Sequence, residues 1–183
     1  MKLKLFIVML IALSLAVTGL LGGCSGGKKN KDKQDGSIVI GIESLGQSTE
    51  YTCPVTADKK FALAGYDDDD NLIWLVVYKK LNDGYVSIDT LYVLSGVEGG
   101  NDQNFECYDS SKKDYVDFTA TSSKSNIAKL KQLDSKTWST TSYDETGEAE
   151  IHITTIDGRK TWFTVKVVGS VDDMPEFTPA PIS

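Results

Sequence analysis

An all-β chain, packed as an antiparallel β-sandwich, is the fold class this sequence predicts, and three observations predict it. Leu72-Ile73-Trp74-Leu75-Val76-Val77-Tyr78 is apolar and β-branched or aromatic almost throughout, which suits a central strand covered on both faces. Residues 148–168 alternate apolar and polar side chains on either side of Asp157-Gly158, the pattern of a hairpin with one buried face. Residues 125–133 are the one plausible helix, with Ile127, Leu130 and Leu133 spaced three apart behind serines.

The chain opens with Lys2 and Lys4, an apolar run over residues 5–21, and then Leu21-Gly22-Gly23-Cys24. A short basic segment, an apolar stretch and small residues form the layout of a secretory signal peptide. The run falls just short of the roughly 18 apolar residues that suggest a membrane span. The segment resembles the lipobox of bacterial lipoproteins. That resemblance implies that residues 1–23 are removed and that Cys24 becomes the new N-terminus, carrying palmitate-like acyl chains. Each buried acyl CH₂ contributes about 0.8 kcal/mol, and two chains hold stably where one does not. The expected location is therefore extracytoplasmic, at the cell membrane or cell surface, with the lipid bilayer as a partner through acylated Cys24.

Residues 24–36 follow the leader without one large apolar side chain, so they are expected to act as a flexible tether. Residues 171–183 contain three of the four prolines, with acidic side chains among them, and are expected to form a disordered or extended tail. Residues 37–170 remain for one β-rich domain. Tyr51-Thr52-Cys53 and Phe105-Glu106-Cys107 form a faint internal echo, and two tandem modules are the alternative to one unit.

Charge narrows the function. The net charge of the whole chain is −7. Removing Lys2 and Lys4 leaves 17 bases against 26 acids, a net of −9, and removing the tether's four lysines and two aspartates leaves 13 against 24, a net of −11. Such a domain repels phosphate backbones, which argues against nucleic acid as a partner and against a domain face that grips anionic lipid.

The first hairpin turns at Asn82-Asp83-Gly84. A three-residue loop closes Leu81 on Tyr85 and sets Trp74 against Tyr92, Tyr78 against Ile88 and Leu72 against Leu94, all on one face. In the second hairpin, a two-residue Asp157-Gly158 loop would scatter apolar residues over both faces. A three-residue loop, Ile156-Asp157-Gly158 with Gly158 left-handed, instead aligns Ala149, Ile151 and Ile153 with Phe163, Val165 and Val167. Trp162 then projects from the polar face beside His152. Shorter strands are expected at residues 37–42, 51–55, 61–65, 104–108 and 115–120.

Thr121-Ser122-Ser123-Lys124-Ser125-Asn126-Ile127-Ala128-Lys129-Leu130 resembles a stretch of bacterial group 2 Ig-like domains. The run from Gly147 through Asp157-Gly158 to Phe163-Thr164-Val165-Lys166-Val167 is similar to the closing hairpin of the same family. The resemblance covers residues 115–168. It implies an Ig-like β-sandwich, a strand rather than a helix over residues 127–130, and an adhesive or spacer role without catalytic residues.

Candidate chemistry is sparse. Cys53 and Cys107 survive lipidation, and either a disulfide or two buried thiols fits an exported pair. Asp67, Asp69 and Asn71 have the alternate spacing of an oxygen-rich calcium loop, but Leu72 stands where an EF-hand needs glycine, so a solvated acidic turn is the preferred reading. Gly41-Ile42-Glu43-Ser44-Leu45-Gly46 has the wrong spacing for a nucleophile elbow. His152, the single histidine, falls on a solvent-facing strand surface, so no catalytic set and no cofactor is expected. Trp162, His152 and Tyr143, with Tyr115 nearby, are the candidate patch for a protein or glycan partner. The expected function is a membrane-anchored, non-catalytic binding, adhesive or structural module. The alternatives are an accessory subunit of an envelope or transport complex, and a small surface hydrolase with a carboxylate site.

Overall fold

The computed structural model describes residues 34–42, 55–56, 60–81, 85–97, 102–141 and 144–178. Cys24, Cys53, Tyr143 and the Asn82-Asp83-Gly84 turn lie outside the described residues. In chain order the strands are β1 (Ile38–Ile42), β2 (Val55–Thr56), β3 (Phe61–Tyr66), β4 (Leu72–Lys80), β5 (Val86–Leu94), β6 (Gln103–Asp109) and β7 (Asp114–Tyr115). They continue as β8 (Phe118–Ser122), β9 (Lys129–Gln132), β10 (Thr137–Thr141), β11 (Gly147–Thr155), β12 (Lys160–Val168) and β13 (Phe177–Thr178). The fold is the expected all-β sandwich. Its smaller sheet has the order β1-β6-β10-β9, with β7 also on β6, and its larger sheet runs β13-β2-β3-β4-β5-β12-β11-β8.

Alternation decides which residues meet between the sheets. Ala149, Ile151 and Ile153 of β11 and Phe163, Val165 and Val167 of β12 are all buried, as the three-residue loop requires. His152 pairs with Trp162, Thr155 N–H donates to Arg159 O (3.0 Å), and Gly158 has φ 84°. From the smaller sheet Ile38, Ile40, Phe105 and Cys107 enter the same core. Phe163 meets Phe105 edge-on, with ring centroids 5.2 Å apart, a geometry that adds about 0.5–1.5 kcal/mol to simple burial.

β4 is the central strand its composition predicts. Val76 faces the intersheet core while Leu75 and Val77 join a second cluster on the outer face of the larger sheet. The β4–β5 register holds at the turn, where Leu81 N–H donates to Tyr85 O (2.7 Å) and Tyr78 opposes Ile88. Further along it departs from expectation: Trp74 opposes Val93 and Leu75 opposes Tyr92, because the register shifts between Val77 and Tyr78. The extra residue on β5 has a packing reason. Ile88, Leu91 and Val93 are all in the intersheet core, and Ile88 and Leu91, three apart, share a face only if a bulge resets the alternation.

Two other expectations need correction, and one further strand was not anticipated. Residues 125–128 form a single turn, with Ile127 and Ala128 both donating to Lys124 O, and the strand begins only at Lys129. Residues 137–141 form a strand that a run of threonine and serine conceals, with Thr137, Ser139 and Thr140 buried. Residues 171–178, expected as part of a tail, are ordered: a short 3-10 turn spans Val171–Asp173, Met174 is buried, and β13 pairs with β2. Met174 and Phe177 pack on Ala62, Ala64, Leu75, Val77 and Val168, covering apolar surface that the larger sheet would otherwise show to water.

Gly65 pairs with Trp74, whose indole occupies the space a Cβ at residue 65 would need. Gly65→Val should displace Trp74 and lower stability by about 1–3 kcal/mol, read as a fall in the urea midpoint at unchanged slope.

Candidate functional site

Three assemblies of polar and aromatic side chains stand out. The first is the patch anticipated from alternation. His152 and Trp162 oppose each other across β11 and β12, ring centroids 6.2 Å apart, and His152 Nε2 lies 3.3 Å from Glu150 Oε2. Trp162 is half-buried and His152 exposed. On the other side of His152 the pairing partner is Thr121 of β8, so an aromatic, an imidazole and a hydroxyl form one cross-strand row. The row continues along the same face, where Lys166 Nζ stands 5.8 Å from the centre of the Tyr92 ring. Such a surface offers stacking and hydrogen bonding. Tyr115 does not join it.

Tyr115 instead belongs to a second aromatic cluster. Its ring stands edge-on to Tyr108 at 5.3 Å, and Tyr108 lies 5.9 Å from Tyr85. Burial, reinforced by Tyr85, raises the Tyr108 phenol above its ordinary range. An open depression of about 500 Å³ adjoins Tyr115, bordered by Glu106, Asp134, Ser135, Lys136 and Thr137. The tight β6–β7 turn makes this cluster: Tyr108 and Tyr115 are cross-strand partners, and Lys113 takes φ 57°. Asp109, followed by Ser110 and Ser111, was the available sequence signal, since its carboxylate accepts from Ser111 N, Ser111 Oγ and Lys112 N.

The third assembly is a charged knot that residue spacing does not announce. Asp109 has no exposed side-chain surface, and its Oδ2 accepts from Arg159 Nη2 at 2.6 Å. Arg159 also binds Asp157 through Nε and Nη2, and its Nη1 donates to Ser37 Oγ at 3.0 Å. Lys112 Nζ lies 3.0 Å from Asp157 Oδ2. One guanidinium thereby ties the β11–β12 turn to the end of β6 and the start of β1, joining both sheets. The Arg159 hydrogen bond holds the Asp109 carboxyl well below the usual carboxylate range, against the opposing effect of burial.

Other sequence candidates lack a comparable setting. Cys107 is a free, fully buried thiol, and burial pushes it up to about 12, so it is protonated and unreactive at neutral pH. The Asp67–Asn71 loop closes on itself: Asp67 accepts from Asp69 N, Asn71 N and Asn71 Nδ2. The Asn71 amide holds the Asp67 carboxyl below its ordinary value. Among the described residues no group of three or more histidine, cysteine or acidic side chains is placed to hold a metal ion.

No family model, curated protein or solved structure matches this chain.

The depressed Asp109 value fixes a sign. Its stabilisation is fully present above the unfolded carboxyl value near 4 and is lost as pH falls from there toward the folded value. Asp109→Asn should therefore cost about 2–4 kcal/mol near neutrality, and chemical denaturation should show the gap to the parent protein narrowing as pH drops below about 4.

Proposed function

We propose that this protein is a lipid-anchored, extracytoplasmic, non-catalytic module that presents a β-sandwich surface to a protein or glycan partner. The observation that carries the reading is Leu21-Gly22-Gly23-Cys24 behind a basic and apolar leader, followed by a tether without large apolar residues. The all-β architecture supports it, since adhesive and spacer modules use rigid sandwiches whose faces and end loops are available for contact. The β11–β12 hairpin supports the resemblance to group 2 Ig-like domains, and its outer face offers Trp162 and His152 as recognition residues.

Several features weigh against catalysis as the working hypothesis. His152 is flanked by Trp162, Glu150 and Thr121 on an open strand face, where water competes with every proton transfer. Cys107 is sealed in the core.

Metabolic labelling with a palmitate analogue tests the anchor. The parent protein should incorporate label and fractionate with membranes, while Cys24→Ser should lose the label, retain an uncleaved leader and run at the precursor mass. Equal labelling of the two proteins would remove the anchor from the account.

A further inference from the structure

The first described residues fix which end of the sandwich the tether enters. Asp35 N–H donates to Lys160 O (2.8 Å), and Gln34 bridges Trp162 O and Lys79 Nζ. This is the end that carries the β6–β7, β9–β10 and β11–β12 turns. Ile156 N–H donates to Asp117 O, Asp117 accepts from Ser135 Oγ, and Lys112 reaches Asp157.

Two of the most exposed large apolar side chains of the described residues sit on these turns: Ile156 is 84 % exposed and Leu133 46 %. An isolated exposed apolar residue has no special meaning. Here the pair is accompanied by Lys112, Lys113, Lys136 and Lys160. The carboxylates on the same turns are Asp109, Asp114, Asp117, Asp134 and Asp157; Arg159 pairs with Asp109 and Asp157, and with the four lysines it brings these turns near neutrality. The opposite end carries the Asp67-Asp68-Asp69-Asp70 turn, Asp144-Glu145 and Asp172-Asp173. The net charge of the domain thus conceals a polarity along its length, and the tether with its four lysines enters at the less acidic pole.

We infer that this turn-bearing end is a membrane-contacting surface: Ile156 and Leu133 rest in the bilayer interface, the surrounding lysines face lipid phosphates, and the acidic end points away. The inference rests on the lipid-anchor reading. Nine residues, 25–33, separate Cys24 from Gln34; any chain of that length reaches at most about 30 Å, and a flexible one averages about 17 Å. A nine-residue strand such as β11 is itself about 30 Å long. An average tether is therefore shorter than the sandwich and holds the entry end at the bilayer. Such tethering raises effective concentration to the millimolar range, so a small apolar contact flanked by lysines is populated. Like charge drives the acidic end away from anionic headgroups. The far end, with Tyr66 and the Asp67–Asn71 turn, then points away from the bilayer, and the strand face carrying Trp162 and His152 stays open at the side.

Full-length protein with its native acyl group, in a Cys53→Ser background, can carry a polarity-sensitive fluorophore at Ile156→Cys or, as the opposite-end control, at Tyr66→Cys. Buried Cys107 is shielded from labelling. The probe surface is vesicles of mixed phosphatidylethanolamine and phosphatidylglycerol containing a headgroup-level quencher lipid. The label at residue 156 should shift to the blue and quench about twofold or more beyond the label at residue 66. Equal quenching, or stronger quenching at 66, with Cys24 acylated by mass spectrometry, overturns the orientation and leaves the anchor standing. An unacylated Cys24 with no vesicle binding overturns both. Shielding of the 156 label without vesicles, together with a doubled solution mass, assigns the surface to a second copy of the chain and overturns the membrane contact.

Discussion

The parallel pairing of β5 with β12, from Thr90 against Thr164 to Leu94 against Val168, is the constraint on which the architecture depends. Among the described residues every other strand pairing is antiparallel. β3, β4 and β5 form one meander and β8, β11 and β12 a second group. Joined by β5 and β12, they become one larger sheet with a continuous inner face. That face is what β1 and β6 cover from the smaller sheet, and the intersheet core accordingly draws on residues from Ile38 to Val167. A parallel junction needs a long connection between its strands, and here the smaller sheet is built largely from that connection. The bulge in β5 serves the same junction, since it lets Ile88, Leu91 and Val93 reach one interior.

Local information predicted local structure well. The β11–β12 hairpin was legible to the residue because its buried face, Ala149 to Val167, leaves one acceptable register and Gly158 supplies the left-handed position it needs. The β4–β5 hairpin was legible only from Leu81 back to Tyr78. Strict alternation carries no mark of a bulge, although Ile88 and Leu91, apolar and three apart, were the available hint. β10 carries no alternation signal because its burial is achieved with hydroxyl side chains, and over residues 171–178 the acidic residues and Pro175 dilute the apolar signal of Met174 and Phe177. The β5–β12 pairing and the Asp109–Arg159 contact join residues far apart in sequence, and no periodicity encodes either.

The same division applies to the site. Alternation placed Trp162 beside His152, whereas Tyr115, grouped with them in the candidate patch without a register to support it, is folded by the β6–β7 turn onto Tyr108 in the other sheet. Arg159 connects the energetics to the proposed role. It fixes the turn that displays Ile156 and also bonds Ser37, which in turn donates to Asp35 where the chain enters the domain. A rigid entry point gives an anchored domain a defined orientation, whereas a frayed one would let it tumble at the end of its tether.

Native-state hydrogen exchange against increasing denaturant measures whether the two strand groups are one cooperative structure. The amides of Leu91 and Val93 in β5 should merge with those of Val165 and Val167 in β12 onto a single global unfolding isotherm. Separate isotherms, with the β3–β5 group opening at lower denaturant while β11 and β12 stay protected, would contradict the unity of the larger sheet.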